Sequence, residues 1–226
     1  MNKKIMDREI LKLEVAKAAL AYVPEGAIIG IGSGSTMAMF IKQLGLIKSR
    51  IEAAVASSEQ TATLLKEQKI PVLELNDVGY LPVYFDSADA VNSQLQLVKG
   101  GGGALTQEKI LAAASHSFIC LVDESKLVKV LGEFPVAVEV LPMARSFVAR
   151  EIVKLKGSPS YRSGFITDNG NMILDIHNWT LERPLDLENK LNQIPGVIAN
   201  GIFAQYRPEL LLVANNQGVK TLNSPF

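Results

Sequence analysis

The sequence predicts an α/β protein in which a Rossmann-like domain, built on an open and mostly parallel sheet, carries a smaller α+β lid domain. First, a strand, a turn and a helix follow one another in "AIIGIGSGSTMAMFIKQLG" and again in "IEAAVASSEQTATLLKEQKIPVLEL", an order typical of parallel strands covered by helices. Second, the elements after Gly132 follow the order β-α-β-β-α-β, the split βαβ or ferredoxin-like motif. Third, 226 residues with 48% hydrophobic side chains can bury a sizeable core.

Helical spacing and turn residues predict the first elements. A helix is expected behind Asp7, its predicted N-cap, because apolar side chains recur at helical spacing: Leu11, Val15, Ala18, Ala19 and Tyr22. Ser57 and Gln60 are predicted to form a capping box at a later helix. We expect further strands at 81–85, 95–98 and 117–122, with a helix over 106–114 between the last two.

The small domain begins with "FPVAVEVL", a predicted strand, and "MARSFVAREIVKLKG", a predicted helix. "SGFITDNGNMILDI" predicts two strands joined by a hairpin at Asn169-Gly170. A helix in "PLDLENKLNQI" and a strand in "GVIANGIFA" follow, and "ELLLVANNQGVKTL" supplies two strands that return to the first domain. The predicted boundaries are therefore 1–131 plus 206–226 for a catalytic domain and 132–205 for a lid or oligomerisation domain.

The composition limits which kinds of partner the protein can bind and in which compartment it is expected. The formal net charge is zero and the basic residues are dispersed, so we expect a small-molecule partner, no nucleic acid and no membrane. The single cysteine, Cys120, lies in the apolar run "SFICLV" and is expected to be a buried strand residue. No apolar run approaches about 18 residues and the first residues show no signal peptide, so we expect a cytoplasmic protein.

The glycine-rich turn "GIGSGST" precedes a predicted helix and is a candidate anion site, because the backbone N–H groups of a helix N-terminus attract phosphate. The dinucleotide pattern fails, since Ser35 or Met37 stands where its third glycine would be. A phosphate or sugar-phosphate loop is favoured over a tight turn without a ligand and over a nucleotide site.

Two aspartates, Asp86 and Asp89, follow an apolar strand, at the strand end where open α/β sheets bind ligands. Taken alone, the pair is more typical of a turn or helix cap than of a ligand site. A metal site here is possible but weakly supported, because His116 and His177 lie in unrelated segments and no cluster has metal-ligand spacing.

The run "VKGGGGALTQEK" makes a poor linker, because it contains little to keep it solvated and lies between a strand and a helix. Lys99 ends the strand, the glycines present bare N–H groups, and Thr106 is the predicted helix cap. Glu108 then falls in the first helical turn, where the helix dipole keeps a carboxylate ionised and able to accept a proton. Lys126, in "LVDESK", is by itself a surface lysine.

Together these residues resemble the type A ribose-5-phosphate isomerase family. The matching segments, which run in order along nearly the whole chain, are "GIGSGSTM", "VYFDSADAVN", "VKGGGGALTQEKI", "FICLVDESK", "FPVAVEVLPMARS" and "TDNGNMILDIH". The resemblance implies interconversion of ribose 5-phosphate and ribulose 5-phosphate through an enediolate, without metal or organic cofactor. It also implies a homodimer, with a tetramer as the alternative.

The resemblance assigns roles to individual residues. Glu108 resembles the base that moves the proton, Asp86 and Asp89 the acidic pair that handles hydroxyl protons and opens the ring, and Lys99 the group that stabilises the enediolate oxygen. Implied substrate-binding residues are Ser33, Gly34, Ser35, Thr36, Ser87, Ala88, Gly100, Gly101, Gly102, Lys126 and Lys12.

This chain departs from the family's D-G-A-D-E segment, since Ser87 replaces the glycine and Ala90 the glutamate, and Ser33 replaces a threonine. If the family glycine is left-handed, Ser87 is expected to carry strain of about 1 kcal/mol. The departures leave two alternatives open: a sugar-phosphate-binding sensor without catalysis, or a related enzyme on this fold, such as another sugar-phosphate isomerase or a coenzyme A transferase.

Overall fold

A computed structural model describes residues 8–224. The chain divides into two compact units, of which the first comprises residues 8–87, 111–126 and 208–224 and the second residues 88–110 and 127–207. This division places 88–110 in the second unit, whereas the sequence places the boundary at 131. The boundaries of independently folding domains stay a prediction.

The first unit contains a six-stranded, mostly parallel sheet. Its strands are β1 (Ala27–Ile31), β2 (Ile51–Ala56), β3 (Leu81–Asp86), β6 (Ser115–Asp123), β12 (Leu210–Asn215) and β13 (Gly218–Asn223), and its helices are α1 (Arg8–Ala19), α2 (Ser35–Gly45) and α3 (Glu59–Glu67). The sheet order is β13-β12-β6-β3-β1-β2, and only the β12–β13 pair is antiparallel. Short 3₁₀ turns lie at Leu20–Tyr22, Lys48–Arg50, Leu75–Asp77 and Glu124–Lys126.

The core of the first unit forms because α1 and α2 turn apolar faces toward the sheet. Val15 of α1 and Phe40 of α2 are fully buried, and the Phe40 ring lies 4.9 Å from that of Phe85. Cys120 is also fully buried, in β6 between β3 and β12, as predicted. Burying these side chains supplies the main free energy that fixes the sheet, and with it the strand ends that carry the candidate site.

Helix starts in the first unit partly match the predictions. The predicted N-cap Asp7 lies outside the described residues. The capping box at Ser57 is wrong by one position: Ser58 is the N-cap of α3, and its hydroxyl accepts a hydrogen bond of 3.0 Å from the Thr61 amide.

The second unit contains two antiparallel sheets. The first has the order β11-β5-β4 and the second the order β10-β7-β9-β8. The elements are β4 (Ala90–Val91), β5 (Leu97–Val98), α4 (Leu105–Ala114, whose last residues belong to the first unit), β7 (Val136–Val140), α5 (Arg145–Lys154), β8 (Ser158–Tyr161), β9 (Met172–His177), α6 (Pro184–Asn192), β10 (Val197–Asn200) and β11 (Ile202–Phe203), with a 3₁₀ turn at Pro142–Ala144.

The predicted fold class is confirmed. In the four-stranded sheet, β7 and β8 are connected through α5 and separated by β9, and β9 and β10 are connected through α6 and separated by β7. This is the split βαβ order expected from the sequence. The core of this sheet includes Val138, Ile152 and Leu174, all buried.

Two strand predictions in the second unit need correction. The strand expected at 95–98 is reduced to Leu97–Val98, because Leu95 adopts a positive φ of 55° that no strand residue has. The tight hairpin at Asn169-Gly170 is wrong in its first strand, because β8 lies earlier, at Ser158–Tyr161. Asn169 and Gly170 do form a turn, in which the Gly170 amide donates to the Thr167 carbonyl at 2.8 Å.

Within residues 8–224, no helix has the length and apolar character needed to cross a bilayer.

Candidate active site

In the first unit, the glycine-rich turn leads from β1 into the N-terminus of α2. The N-cap residue is Gly34, with a φ of 94° and no side chain to accept hydrogen bonds from the first helical amides. Those N–H groups, beside the hydroxyls of Ser35 and Thr36, can therefore bind an anion. That this turn binds a phosphate stays a prediction.

Asp86 ends β3 as a fully buried carboxylate held by three donors. The backbone amides of Ser33 and Ser87 donate to Oδ1 at 3.1 and 2.7 Å, and the Tyr84 hydroxyl donates to Oδ2. Sequence reasoning did not identify Tyr84 as a partner. Its signal is the two-residue spacing, which places Tyr84 and Asp86 on one face of the strand.

Gly32 makes this arrangement possible. A Cβ atom at residue 32 would lie 1.9 Å from Asp86 Oδ1 and 2.0 Å from Asp86 Cγ. The carboxylate thus fills the space that any side chain would need, and only glycine lets the loop pass this close.

Ser87 shows none of the strain that the sequence comparison raised. The residue has no positive φ, so serine costs nothing in backbone conformation here. Its hydroxyl donates to the Ser33 carbonyl at 3.3 Å. The structure thus brings Ser33, Asp86 and Ser87 together, and two of the three departures from the family pattern contact each other.

Ala90, the third departure, lies in β4 of the second unit and is 3% exposed among apolar side chains. A glutamate at this position would place a carboxylate in that apolar cluster, which costs several kcal/mol unless it is paired. Alanine fits without any partner.

The two outlying lysines of the first unit lie in different elements. Lys12, on α1, forms an ion pair of 2.6 Å with Glu9. Lys126 ends the 3₁₀ turn Glu124–Lys126, just after β6, and is partly buried. Their roles toward a substrate stay predictions.

In the second unit, Lys99 and Glu108 form a buried ion pair. Lys99 Nζ lies 3.3 Å from Glu108 Oε2, and the two side chains are 3% and 5% exposed. Lys99 follows β5 directly, and Glu108 lies in the first turn of α4. The Phe203 ring lies 5.6 Å from Lys99 Nζ and adds a cation–π contact. A base and a cation are therefore held side by side, away from water.

The glycine run between them is an ordered turn that positions Asp89. Gly100 has a φ of 100°, and the Gly103 amide donates to the Gly100 carbonyl at 3.0 Å. The Gly101 amide donates to Asp89 Oδ2 at 2.8 Å. Gly101 and Gly102 are exposed, whereas Asp89 is half-buried and the neighbouring Ala88 is buried.

Sequence reasoning also missed Glu139, a fully buried residue of β7 whose carboxylate accepts hydrogen bonds from four donors. The donors, at 2.5, 2.9, 3.1 and 2.9 Å, are the Thr106 and Thr167 hydroxyls and the Asn169 and Asn171 amides. The prediction that Thr106 is the N-cap of α4 is wrong. The helix begins at Leu105, and the Thr106 hydroxyl donates to Glu139. An apolar strand pattern interrupted by one glutamate was the available signal.

Lys109 lies next to the candidate base but is engaged elsewhere. Its Nζ lies 2.6 Å from Glu188 Oε1 and donates to the Ile202 carbonyl at 2.7 Å. Burial lowers the pKa of Lys109 from its usual value of 10.5, and the neighbouring Glu188 carboxylate offsets part of that effect.

No three histidine, cysteine, aspartate or glutamate side chains group as metal ligands within residues 8–224. The expectation that the protein works without a metal stays a prediction.

The chain is similar to known proteins over most of its length. Residues 53–218 match the family described as Ribose 5-phosphate isomerase A (phosphoriboisomerase A). The chain is 58% identical over 212 residues to ribose-5-phosphate isomerase A of Legionella pneumophila (strain Lens), covering 94% of this chain and 98% of that protein.

Two solved structures are similar over almost the whole chain. Ribose 5-phosphate isomerase A from Neisseria gonorrhoeae has a TM-score of 0.96 and 43% identity, covering 98% of this chain and 100% of that one. A D-ribose-5-phosphate isomerase solved in complex with phospho-erythronic acid has a TM-score of 0.93 and 41% identity, covering 96% of this chain and 100% of that one. The chain therefore belongs to the ribose-5-phosphate isomerase A family.

Proposed function

We propose that Glu108 is the base with which this chain, an aldose–ketose isomerase, interconverts D-ribose 5-phosphate and D-ribulose 5-phosphate. The observation that carries this proposal is the buried pair of Glu108 and Lys99, whose charged atoms lie 3.3 Å apart. Moving a proton next to a carbonyl requires a carboxylate that accepts it and a cation where oxyanion charge develops. The pair supplies both groups.

The proposed proton transfers balance within the substrate. Glu108 removes the proton from C2 of the open-chain aldose, the C2–H electron pair forms the C1–C2 double bond while the C1–O1 π pair moves onto O1, and Lys99 stabilises that enediolate oxygen. O1 then gains a proton and O2 loses one, so that the C2–O2 double bond forms as the C1–C2 π pair takes the proton that Glu108 returns to C1, which yields the ketose. Asp86 and Asp89 open the ring and move protons between hydroxyl oxygens. The scheme uses no metal ion and no organic cofactor.

The remaining residues are proposed to bind the substrate. The turn from Ser33 to Thr36 receives the phosphate on the open N-terminus of α2, with Lys126 and Lys12 as cations for it. Ser87, Ala88 and the glycines from Gly100 to Gly102 contact the sugar. The support is the local geometry of each segment.

We also propose a cytoplasmic homodimer that binds neither nucleic acid nor membrane. The neutral net charge and the single buried cysteine agree with this proposal. In the second unit, Leu141 and Met143 expose 42% and 93% of their surface, and such apolar side chains favour association. Light scattering on the purified protein measures the number of subunits. Fractionation of cells shows the compartment in which the protein lies.

The test is an assay of ribulose 5-phosphate formation from ribose 5-phosphate without added metal. We expect turnover by the natural chain and a loss of about 10²–10⁴-fold in kcat for Glu108→Gln, because a general base supplies a factor of that order. Glu67→Gln, on the exposed end of α3, is the matched control and should keep full turnover. Calorimetric binding of ribose 5-phosphate should persist in Glu108→Gln.

Near-normal turnover by Glu108→Gln would show that another residue is the base. Binding without turnover by the natural chain would favour the sensor alternative. Turnover of a different sugar phosphate, with inactivity on ribose 5-phosphate, would favour a related enzyme.

A further inference from the structure

One peptide group connects Arg162 to Asp89. The Gly100 carbonyl accepts hydrogen bonds from Arg162 Nη1 and Nη2, both at 3.1 Å. The amide of the same peptide group, that of Gly101, donates to Asp89 Oδ2 at 2.8 Å. A guanidinium and a candidate active-site carboxylate therefore hold opposite ends of a single peptide plane.

Planarity makes this connection directional. In a trans peptide, the C=O and N–H bonds point in opposite directions, so fixing the carbonyl also fixes the amide. A cation at the carbonyl polarises the group and strengthens the N–H as a donor, because hydrogen bonds in a chain reinforce one another. Arg162 thus sets both the direction and the strength of the bond to Asp89.

The glycine run needs such an anchor. Gly100 has a φ of 100° and is followed by three more glycines. Glycine accepts positive and negative φ about equally, so this peptide group can turn over at little steric cost when nothing holds its carbonyl. A turned peptide would present a carbonyl, not an amide, to the Asp89 carboxylate.

Arg162 is itself rigidly held. Its Nε and Nη2 donate to Asp175 of β9 at 2.8 and 2.5 Å, the bidentate geometry specific to arginine. The two side chains are only 19% and 20% exposed. The guanidinium also lies 5.4 Å from the Phe165 ring centroid. The small sheet therefore fixes the guanidinium before any substrate binds.

We propose that Arg162 is a positioning residue of the isomerisation, which acts on Asp89 through the Gly100–Gly101 peptide. This inference rests on the proposed role of Asp89 in moving hydroxyl protons. Asp175 supports Arg162 and belongs to the same chain of contacts.

The experiment is a double-mutant cycle on kcat with the variants Arg162→Gln, Asp89→Asn and the combination. We expect Arg162→Gln to lose about 10²-fold in kcat, the order expected for a group displaced by about 1 Å. In the Asp89→Asn background the same change should cost almost nothing further, because its target is gone. Arg145→Gln, which removes a guanidinium lying over the Tyr161 ring in the same unit, is the matched control and should keep turnover.

Arg162→Lys and Asp175→Asn provide a graded series. Lysine can hold a carbonyl but cannot hold Asp175 bidentately as well, so we expect a loss between those of the natural chain and Arg162→Gln. Asp175→Asn leaves the guanidinium in place but less restrained, so its loss should also be intermediate. Thermal unfolding of each variant identifies losses caused by misfolding.

Hydrogen exchange of the Gly101 amide gives a readout independent of turnover. We expect faster exchange in Arg162→Gln and unchanged exchange in Arg145→Gln. Equal exchange in both variants, or losses that multiply in the cycle, would overturn the inference. If Asp89→Asn keeps full turnover while Gly101 exchange depends on Arg162, the positioning stands and the proposed role of Asp89 fails.

Discussion

Gly32 is constrained by a single carboxylate, that of Asp86. The carboxylate lies where a Cβ atom of residue 32 would be, and it is held there by the Ser33 and Ser87 amides. Even the smallest side chain must displace Asp86 from these donors. The orientation of the Asp86 carboxylate, a candidate catalytic group, therefore requires that residue 32 have no side chain.

We expect Gly32→Ala to lower kcat by about 10²-fold, because Asp86 moves by about 1 Å, and to lower the free energy of unfolding by about 1–3 kcal/mol through overpacking. Gly79→Ala is the matched control, since nothing lies within 4 Å of a Cβ at that exposed glycine and its φ is not positive. Turnover and urea unfolding measure the two effects. Equal turnover in the two variants would contradict the prediction.

At the residue scale, sequence reasoning identified the groups that carry charge but not the groups that hold them. Asp86, Lys99 and Glu108 could be selected because charged side chains followed apolar strands or a glycine run. Tyr84 had only its two-residue spacing from Asp86 as a signal. Arg162 could not be selected, because its partner is a backbone carbonyl that the sequence does not mark. The conformation of Ser87 depends on tertiary context in the same way.

The start of α4 is fixed by Glu139, a strand residue whose carboxylate joins three elements. Thr106 reaches it from the first turn of α4, and Thr167 and Asn171 reach it from the connection between β8 and β9. Glu108 lies two residues after Thr106. This buried polar network therefore holds the helical turn that carries the candidate base.

We expect Glu139→Leu to destabilise the protein by at least about 3 kcal/mol, because several buried donors lose their acceptor at about 1–3 kcal/mol each. Glu139→Gln should cost about 1 kcal/mol, because its amide oxygen can face Thr167 and Asn171 while the Thr106 hydroxyl turns to accept from the amide nitrogen. Urea unfolding of both variants measures the difference. Equal losses of unfolding free energy in the two variants would show that Glu139 stabilises the protein by filling space and not by accepting hydrogen bonds.

At the element scale, the helices and the long strands followed from periodicity, but the hairpin did not. "SGFITDNG" places the β-prone residues Phe165, Ile166 and Thr167 just before Asn169-Gly170, as the first strand of a tight hairpin would. In the structure Thr167 and Asn171 are buried because they donate to Glu139, so this segment is a loop packed around a carboxylate. A local pattern cannot distinguish these two causes.

At the scale of the whole molecule, the sequence predicted the fold class but not where residues 88–110 belong. These residues lie in the second unit, where β5 pairs with β11 in an antiparallel arrangement about a hundred residues further along the chain. The two-residue strands β4 and β5 are too short for periodicity to detect. Pairing over such a separation leaves no local signal.

The stability of the whole molecule should depend on the titration of Lys109. Its pKa is lowered by burial, so between that lowered pKa and 10.5 the unfolded chain binds more protons than the folded one. Stability contributed by this group must then rise with pH across that window. We expect the difference in free energy of unfolding between the natural chain and Lys109→Met to increase from pH 8 toward about 10.5.

Urea unfolding at several pH values measures this difference. Lys66→Met, on the exposed face of α3, controls for the loss of a lysine as such. A difference for Lys109→Met that falls as the pH rises would contradict the assigned sign. The buried Glu188, which also accepts from the Ala204 and Gln205 amides, should make Lys109→Met the less stable protein throughout.

Because Cys120 is buried, the reactivity of its thiol can report on opening of the six-stranded sheet. The chain has one thiol, with no exposed surface, on a strand flanked on both sides by parallel neighbours. A thiol reagent can reach it only when the central sheet opens, so the labelling rate follows that opening and no other event in the chain. Every variant above can thus be compared for opening of the sheet under native conditions, without an introduced probe.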